Sequence, residues 1–334
     1  MTRYFVAGGA GFIGSHLVHH LLEQPNSTIT IFDNFSSGRE WHLGEALSDS
    51  RLRIIRGDLK DLTLVTEGMR EHDYVYHLAS NPDIAKAVTQ PDIDFWEGTY
   101  LTQNVLEAMR ANGVKHLTYA SGSGVYGDTG MVPVFEDYSP LLPISTYGAS
   151  KLAGEALIGA YCYMFNINAL AFRFANVVGP HQTHGVAYDF VLRLLRDPSQ
   201  LRILGDGNQS KAYIHVDDVI HAMRYLEGQG RSGFDYFNVA TEDYVTVREI
   251  ADMVVAMLGL EKVGYTFSGG DRGWKGDVPV VRFDTRKLRA RGWRNSRTSV
   301  EALRHAIDSI IADARKGKFD ARQLGHPVNR GQHE

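Results

Sequence analysis

A chain of 334 residues, 43% hydrophobic and 22% charged, has the composition of a globular protein, with room for one large domain or two smaller ones. A net charge of -4 gives no electrostatic reason to expect nucleic acid or an anionic membrane as partner, and no apolar run approaches the ~20 residues of a membrane span. The one cysteine, Cys162, excludes an intrachain disulfide and suits a reducing cytoplasm, the expected location.

The N-terminus opens directly into an apolar run, residues 4–7, read as a buried strand with no leader peptide before it. Gly8-Gly9-Ala10-Gly11-Phe12-Ile13-Gly14 follows, then a helix over 15–23. Glycines between a strand and a helix allow a tight turn and close approach of backbone to a pyrophosphate, and the helix N-terminus offers free N–H groups. A second strand, 28–32, ends at Asp33, nineteen residues after Gly14. A carboxylate there accepts hydrogen bonds from an adenosine ribose and repels a 2′-phosphate, which favours NAD over NADP.

Alternation continues with a strand at 52–55, Gly57-Asp58-Leu59, a short helix at 62–69 and a strand at 74–78 leading into Ala79 and Ser80. A long helix is predicted over 92–111, ended by Asn112-Gly113, and a fifth strand over 116–120 runs into Ser121-Gly122-Ser123-Gly124-Val125-Tyr126-Gly127. A helix to about residue 165 carries Tyr147 and Lys151, and a sixth strand spans 168–174. Strands alternating with helices predict an α/β fold with a doubly wound parallel sheet. Asp33, Asp58, Ala79, Ser121–Ser123 and Asn176 all fall at or beyond strand ends, where such sheets bind ligands.

Tyr147 and Lys151 stand four apart, on one face of a helix. A phenol titrates near pH 10, and about 4 kcal/mol of differential stabilisation would bring it to neutrality. A neighbouring ammonium and a cationic cofactor can supply that. An exposed helix surface carries the same pair by chance, so the spacing gains meaning only from its context.

Beyond residue 177 the pattern loosens, with helices at 188–196, 217–226, 246–258 and 299–314, short strands at 201–204 and 213–216, and a further sheet strand at 236–239. Thr246 and Glu249 have capping-box spacing. Asp271 to Asp277 is a polar, glycine-broken loop, and the basic tail after Lys316 is expected to be poorly ordered. The 14 histidines are scattered; His181 and His184 lack acidic or cysteine partners at ligand spacing, so no metal is expected. The expected organisation is a nucleotide-binding domain over 1–176, which also receives the strand near 236–240, and a smaller α/β substrate-binding lobe over 177–330.

Taken together, the glycine turn, Gly57-Asp58-Leu59, His77-Leu78-Ala79, Val125-Tyr126-Gly127, Tyr147 to Lys151, Arg173 to Asn176, Gly205-Asp206-Gly207 and Tyr213 to Asp218 resemble the extended short-chain dehydrogenase/reductases. Among these the chain is most similar to the nucleotide-sugar epimerases and dehydratases, of the UDP-glucose 4-epimerase type. The resemblance implies a Rossmann-type fold, tightly bound NAD, a nucleotide-diphosphate sugar as substrate and a homodimer formed through helices near 92–111 and 143–165. It places Gly8, Gly11, Phe12, Ile13, Gly14, Asp33, Asn34, Ser37, Gly38, Asp58, Leu59, Leu78, Ala79, Ser80, Ala120, Tyr147, Lys151 and Phe174 around the cofactor. It places Ser123, Asn176, Val186, Lys211, Arg272 and Asp277 around the substrate. Tyr147 is the implied base and Lys151 its partner.

Two positions depart from the family pattern. Gly122 stands where members usually carry Ser or Thr, leaving Ser121, Ser123 or a water for that role, with Ser123 preferred; Gly98 stands where they usually carry Asn. Ser123 and Gly124 also replace the Asp-Glu pair of the 4,6-dehydratases, and Gly124 the glutamate of the decarboxylases. The expected activity is 4-epimerisation by transient oxidation at C4. The alternatives are another nucleotide-sugar modifying enzyme, such as a 4-ketoreductase or decarboxylase, and an NAD-binding protein without catalysis.

Overall fold

The structure, a computed structural model, describes residues 1–229 and 232–319. Seven strands build the central sheet: β1 (Thr2–Ala7), β2 (Ser27–Asp33), β3 (Leu52–Arg56), β4 (Tyr74–His77), β5 (His116–Gly122), β6 (Asn168–Phe174) and β7 (Phe234–Val239). Their order is β7-β6-β5-β4-β1-β2-β3, with every neighbouring pair parallel. The order reverses beside β1, between β4 and β2, and that is where a doubly wound sheet opens a crevice at its carboxyl edge.

Side chains of β1 divide by the strand period of two. Tyr4 and Val6 enter one hydrophobic core, Phe5 and Ala7 the other. Helix α1 (Phe12–Leu22) contributes Leu17, Val18 and Leu21 to the first core, as does helix Val216–Glu227 through Val219, Ile220 and Met223. Helices α2 (Tyr100–Asn112) and α3 (Thr146–Phe165) cover the opposite face, burying Val105, Met109, Ile158 and Cys162. Helices on both faces explain why the strands read as continuous apolar runs.

A third hydrophobic core lies apart from the two that flank the sheet, and in it helix Val186–Arg196 packs with Val247–Met257 and Ser299–Arg315. Thr246 and Glu249 form the expected capping box, and Thr298 with Glu301 forms a second one.

Two expectations differ from the structure. The first turn of the helix predicted over 92–111 is a π-helical turn, Phe95–Thr99, leading into α2. Its Gly98 packs so closely on α3 that a Cβ there would fall 2.2 Å from the Ser150 hydroxyl. The segment after Lys316 is partly ordered into the fold, since Phe319 is buried against Trp41 and Tyr188, with ring centroids 6.4 and 5.1 Å away. The rest of that expected tail, residues 320–334, lies outside the described residues, as does the 330 boundary. Among the described residues no helix is long and apolar enough to cross a membrane, and no group of three or more His, Cys, Asp or Glu side chains could hold a metal ion.

Candidate active site

The glycine turn follows β1 and ends in α1, whose Gly11 N-cap carries no side-chain hydrogen bond and whose first turn contains no acid. The leading N–H groups of α1 are therefore free to face an anion. A Cβ at Gly14 would sit 2.1 Å from the Gly8 carbonyl oxygen, so only glycine lets the helix start this close to the turn. Asp33, at the end of β2, is buried and accepts hydrogen bonds from the backbone N–H groups of Ala10 and Phe35 at 2.9 and 2.8 Å. Burial pushes its carboxyl up, against the pull of those two donors. Asp33 thus tethers the glycine turn to β2, a structural part beyond its predicted one.

Asn34, Ser37 and Gly38 continue from Asp33. Asp58 and Leu59 follow β3, where Asn104 of α2 donates to the Leu59 carbonyl at 2.9 Å. Leu78, Ala79 and Ser80 follow β4, Ala120 lies in β5, and Phe174 ends β6. The predicted cofactor residues therefore gather along one edge of the sheet, around the free end of α1.

Ser145 caps α3 by accepting from the Gly148 N–H at 3.1 Å, which puts Tyr147 in the first turn and Lys151 one turn later. The Lys151 ammonium is buried, donates to the Ala120 carbonyl at 2.7 Å, and lies 5.5 Å from the centre of the Tyr147 ring. Burial pushes Lys151 down to about 8, against the carboxylates of Asp94 and Glu155. Tyr147 moves the other way from the expectation. Removal from water pushes its phenol up to about 12; a Ser80 hydrogen bond lowers it and Asp94 raises it further. In the chain alone the phenol stays protonated at neutral pH, so a lysine nearby does not suffice to make it a base.

Asp94 was not visible as a site residue in the sequence. It is 1% exposed, accepts from the Asn81 amide at 2.9 Å and from the Thr146 hydroxyl at 2.6 Å, and so grips both the β4 loop and the start of α3.

The hydroxyls around Gly122 separate clearly. Ser121 is buried and donates to Glu155 at 2.6 Å. Glu155 also pairs with Arg173 of β6 at 2.6 Å, and Arg173 reaches the Tyr126 hydroxyl at 3.0 Å and the Glu136 carbonyl at 2.8 Å. Ser121 therefore belongs to a buried polar network, its hydroxyl committed to Glu155. Ser123 begins a 3-10 turn, Ser123–Tyr126, and has no hydrogen-bond partner among the described residues. Gly122 is extended (φ −165°), and a Cβ there would meet nothing within 4 Å.

On the substrate side, Asn176 is exposed at the start of the short strand Asn176–Val178, and Val186 opens its helix. Lys211 pairs with Asp277 at 2.7 Å, and Arg272 pairs with Asp128 at 2.5 Å while donating to the Asp277 carbonyl at 2.8 Å. The structure brings Lys211, Arg272 and Asp277 together as expected of neighbours, and adds Asp128. Both cations are held by carboxylates rather than standing free.

A profile of the NAD dependent epimerase/dehydratase family matches residues 4–240. The UDP-glucose 4-epimerase of Mycolicibacterium smegmatis is 32% identical over 264 residues, covering 77% of this chain and 83% of that relative. A solved UDP-galactose 4-epimerase superposes with a TM-score of 0.82 at 36% identity, covering 93% of this chain and 99% of that one. A dTDP-glucose 4,6-dehydratase from Streptomyces venezuelae, solved with NAD bound, gives a TM-score of 0.87 at 26% identity, covering 96% and 99%.

Proposed function

The chain belongs to the NAD-dependent epimerase/dehydratase family, and on that premise we propose that it is a nucleotide-sugar 4-epimerase with Tyr147 as its base. The observation that carries the reading is the segment facing α3. Gly124 packs against Gly148, a Cβ on it lying 3.1 Å from the Gly148 Cα and 4.0 Å from the Tyr147 ring, and neither Ser123 nor Gly124 offers a carboxylate. Elimination of water needs an acid and a base at the sugar beyond the tyrosine; epimerisation at C4 does not. Overall shape does not discriminate, because an epimerase and a dehydratase both superpose closely.

The residues fit NAD through the uncapped start of α1, the glycine approach at Gly14 and the Asp33 carboxylate at the end of β2. Bound there, NAD would supply a reversible two-electron acceptor. Tyr147, as phenolate, takes the proton of the C4 hydroxyl as that carbon becomes a ketone. When the ketone is reduced on its other face, Tyr147 returns the proton to the new hydroxyl. Lys151 holds the cofactor's ribose and its charge favours the phenolate. Lys211 and Arg272 turn from Asp277 and Asp128 to the substrate diphosphate, and Asn176 contacts the same nucleotide sugar.

The test is to incubate the purified chain with UDP-glucose, UDP-galactose, their N-acetyl forms and UDP-glucuronate, and to resolve the products. A C4 isomer from at least one, without net consumption of added NAD, is the expected result. A 4-keto-6-deoxy sugar, or no isomer from any, overturns the reading.

We also propose that two copies pair through α2 and α3. Phe95, Trp96, Tyr163 and Met164 are exposed on these helices and the turn before them, with Tyr163 91% exposed. Sedimentation velocity should give a dimer at micromolar concentration; a monomer rules out the pairing.

A further inference from the structure

The phenol of Tyr147 needs a hydrogen-bond donor when it carries negative charge, and neither Ser121 nor Gly122 provides one. Ser121 gives its hydroxyl to Glu155 at 2.6 Å. Gly122 has no side chain, and its Cβ direction points into open space. Another side chain is brought to the phenol from a different strand: Ser80, three residues past the end of β4, whose hydroxyl favours the ionised form.

The meeting is enforced by a buried clamp. Ser80 is followed by Asn81, and Tyr147 is preceded by Thr146. One Asp94 carboxylate holds both neighbours, with Oδ1 accepting from Asn81 Nδ2 at 2.9 Å and Oδ2 from Thr146 Oγ1 at 2.6 Å. Asn81 is further fixed by its backbone N–H donating to the Glu97 carbonyl at 3.1 Å and by its Oδ1 accepting from the Asp83 N–H at 3.0 Å. The β4 loop and the first turn of α3 therefore cannot slide past each other without breaking buried hydrogen bonds.

We infer that Ser80 is the residue that positions Tyr147 and hydrogen-bonds its phenolate, held in register by the Asp94 clamp. The inference deepens the proposed function and rests on Tyr147 being its base. A serine hydroxyl suits the task because it donates to a phenolate and accepts from a phenol by rotating its O–H, so the bond survives both protonation states without transferring a proton of its own. The charged and titratable groups facing Tyr147 are Asp94, Lys151 and Tyr119. Asp94 opposes the phenolate, Lys151 favours it, and the Ser80 donor offsets the carboxylate that the clamp brings close. The same clamp thus raises the problem and supplies the answer.

The test compares Ser80→Ala, Ser80→Thr and Ser123→Ala in the NAD-loaded full chain. Titration of the Tyr147 phenolate by ultraviolet difference absorbance, with Tyr147→Phe as the blank, needs no turnover. It therefore reads the inference even if no tested sugar is epimerised. In Ser80→Ala the titration midpoint should rise by about one pH unit, the worth of a hydrogen bond to a charged group. Under substrate turnover kcat at neutral pH should fall about tenfold with the same upward shift of the acid limb, and KM should change less than about threefold. Ser80→Thr should restore both. A midpoint within about 0.2 units of the parent in Ser80→Ala overturns the inference, as does a full shift in Ser123→Ala instead. Failure of Ser80→Thr to restore a shift seen in Ser80→Ala overturns it as well.

Discussion

Tyr147→Phe should lower the turnover of the proposed epimerisation by about 10³-fold or more while leaving NAD bound, the upper part of the range for loss of a positioned acid–base group. The ring remains, so contacts with Gly124 and the first turn of α3 are kept, and only the oxygen that exchanges the proton is lost. No neighbour can take its place. The Lys151 ammonium is turned to the Ala120 carbonyl at 2.7 Å, and the Ser80 hydroxyl is far too weak an acid to hold a negative charge at neutral pH. The check is steady-state kinetics with resolved products, paired with the NAD content of the purified variant. A loss below about tenfold would remove Tyr147 from the role of base. Burial pushes the phenol up to about 12, so a cationic cofactor bound beside it would favour the phenolate.

Arg173→Leu should be the most damaging single change away from the reacting groups. It strands Glu155, whose side chain is 5% exposed, with Ser121 as its remaining donor. Removing one partner of a buried pair costs about 3–5 kcal/mol. In a chain of this size that corresponds to a fall in Tm on the order of 5–10 °C by calorimetry. The same substitution at Arg286, whose side chain is 85% exposed beside Asp284, serves as the comparison and should leave Tm nearly unchanged. Equal shifts for the two variants would mean that water reaches Glu155.

The parts legible in the sequence were those with a local signature. The glycine turn, the acid at Asp33, the Tyr147–Lys151 spacing and the Thr246–Glu249 capping box each lie within a few residues or one strand–helix unit, and the strand pattern needed only runs of apolar residues. Thr298–Glu301 had the same capping signature as Thr246–Glu249 and could have been read from it. What was illegible depended on contacts between distant segments. Asp94 sits in a stretch where acids alternate with large apolar residues, Asp92 to Glu97, and nothing marks one of the acids as 1% exposed. Ser121 and Ser123 both flank Gly122, and although Ser123 was preferred, only the Glu155–Arg173 pair, formed across 18 residues between α3 and β6, shows what engages Ser121. Ser80 faces Tyr147 across 67 positions, a distance over which periodicity carries no information. The parallel pairing of Gln200–Ile203 with Gly264–Phe267 was missed for the same reason. Charge was legible as well, but its balance was not: Lys211 and Arg272 were placed around the substrate with no carboxylate assigned to pair with either, yet each has such a partner.

The last strand of the sheet, β7, has a consequence for how the chain holds together. The chain leaves the sheet after Phe174, builds Val186–Arg196 and Val216–Glu227, and returns at Phe234 to lie against β6 along its full length. Asn238 of β7 is then fixed from outside the sheet, by Val134 at 3.0 Å and Asp284 at 3.1 Å through its amide and by Glu136 at 2.9 Å through its N–H. Neither lobe is a removable appendage, since cutting between them takes an edge from the sheet or strands the segment that supplies it. Melting should therefore occur as one cooperative transition, and a ligand bound to either part should stabilise both.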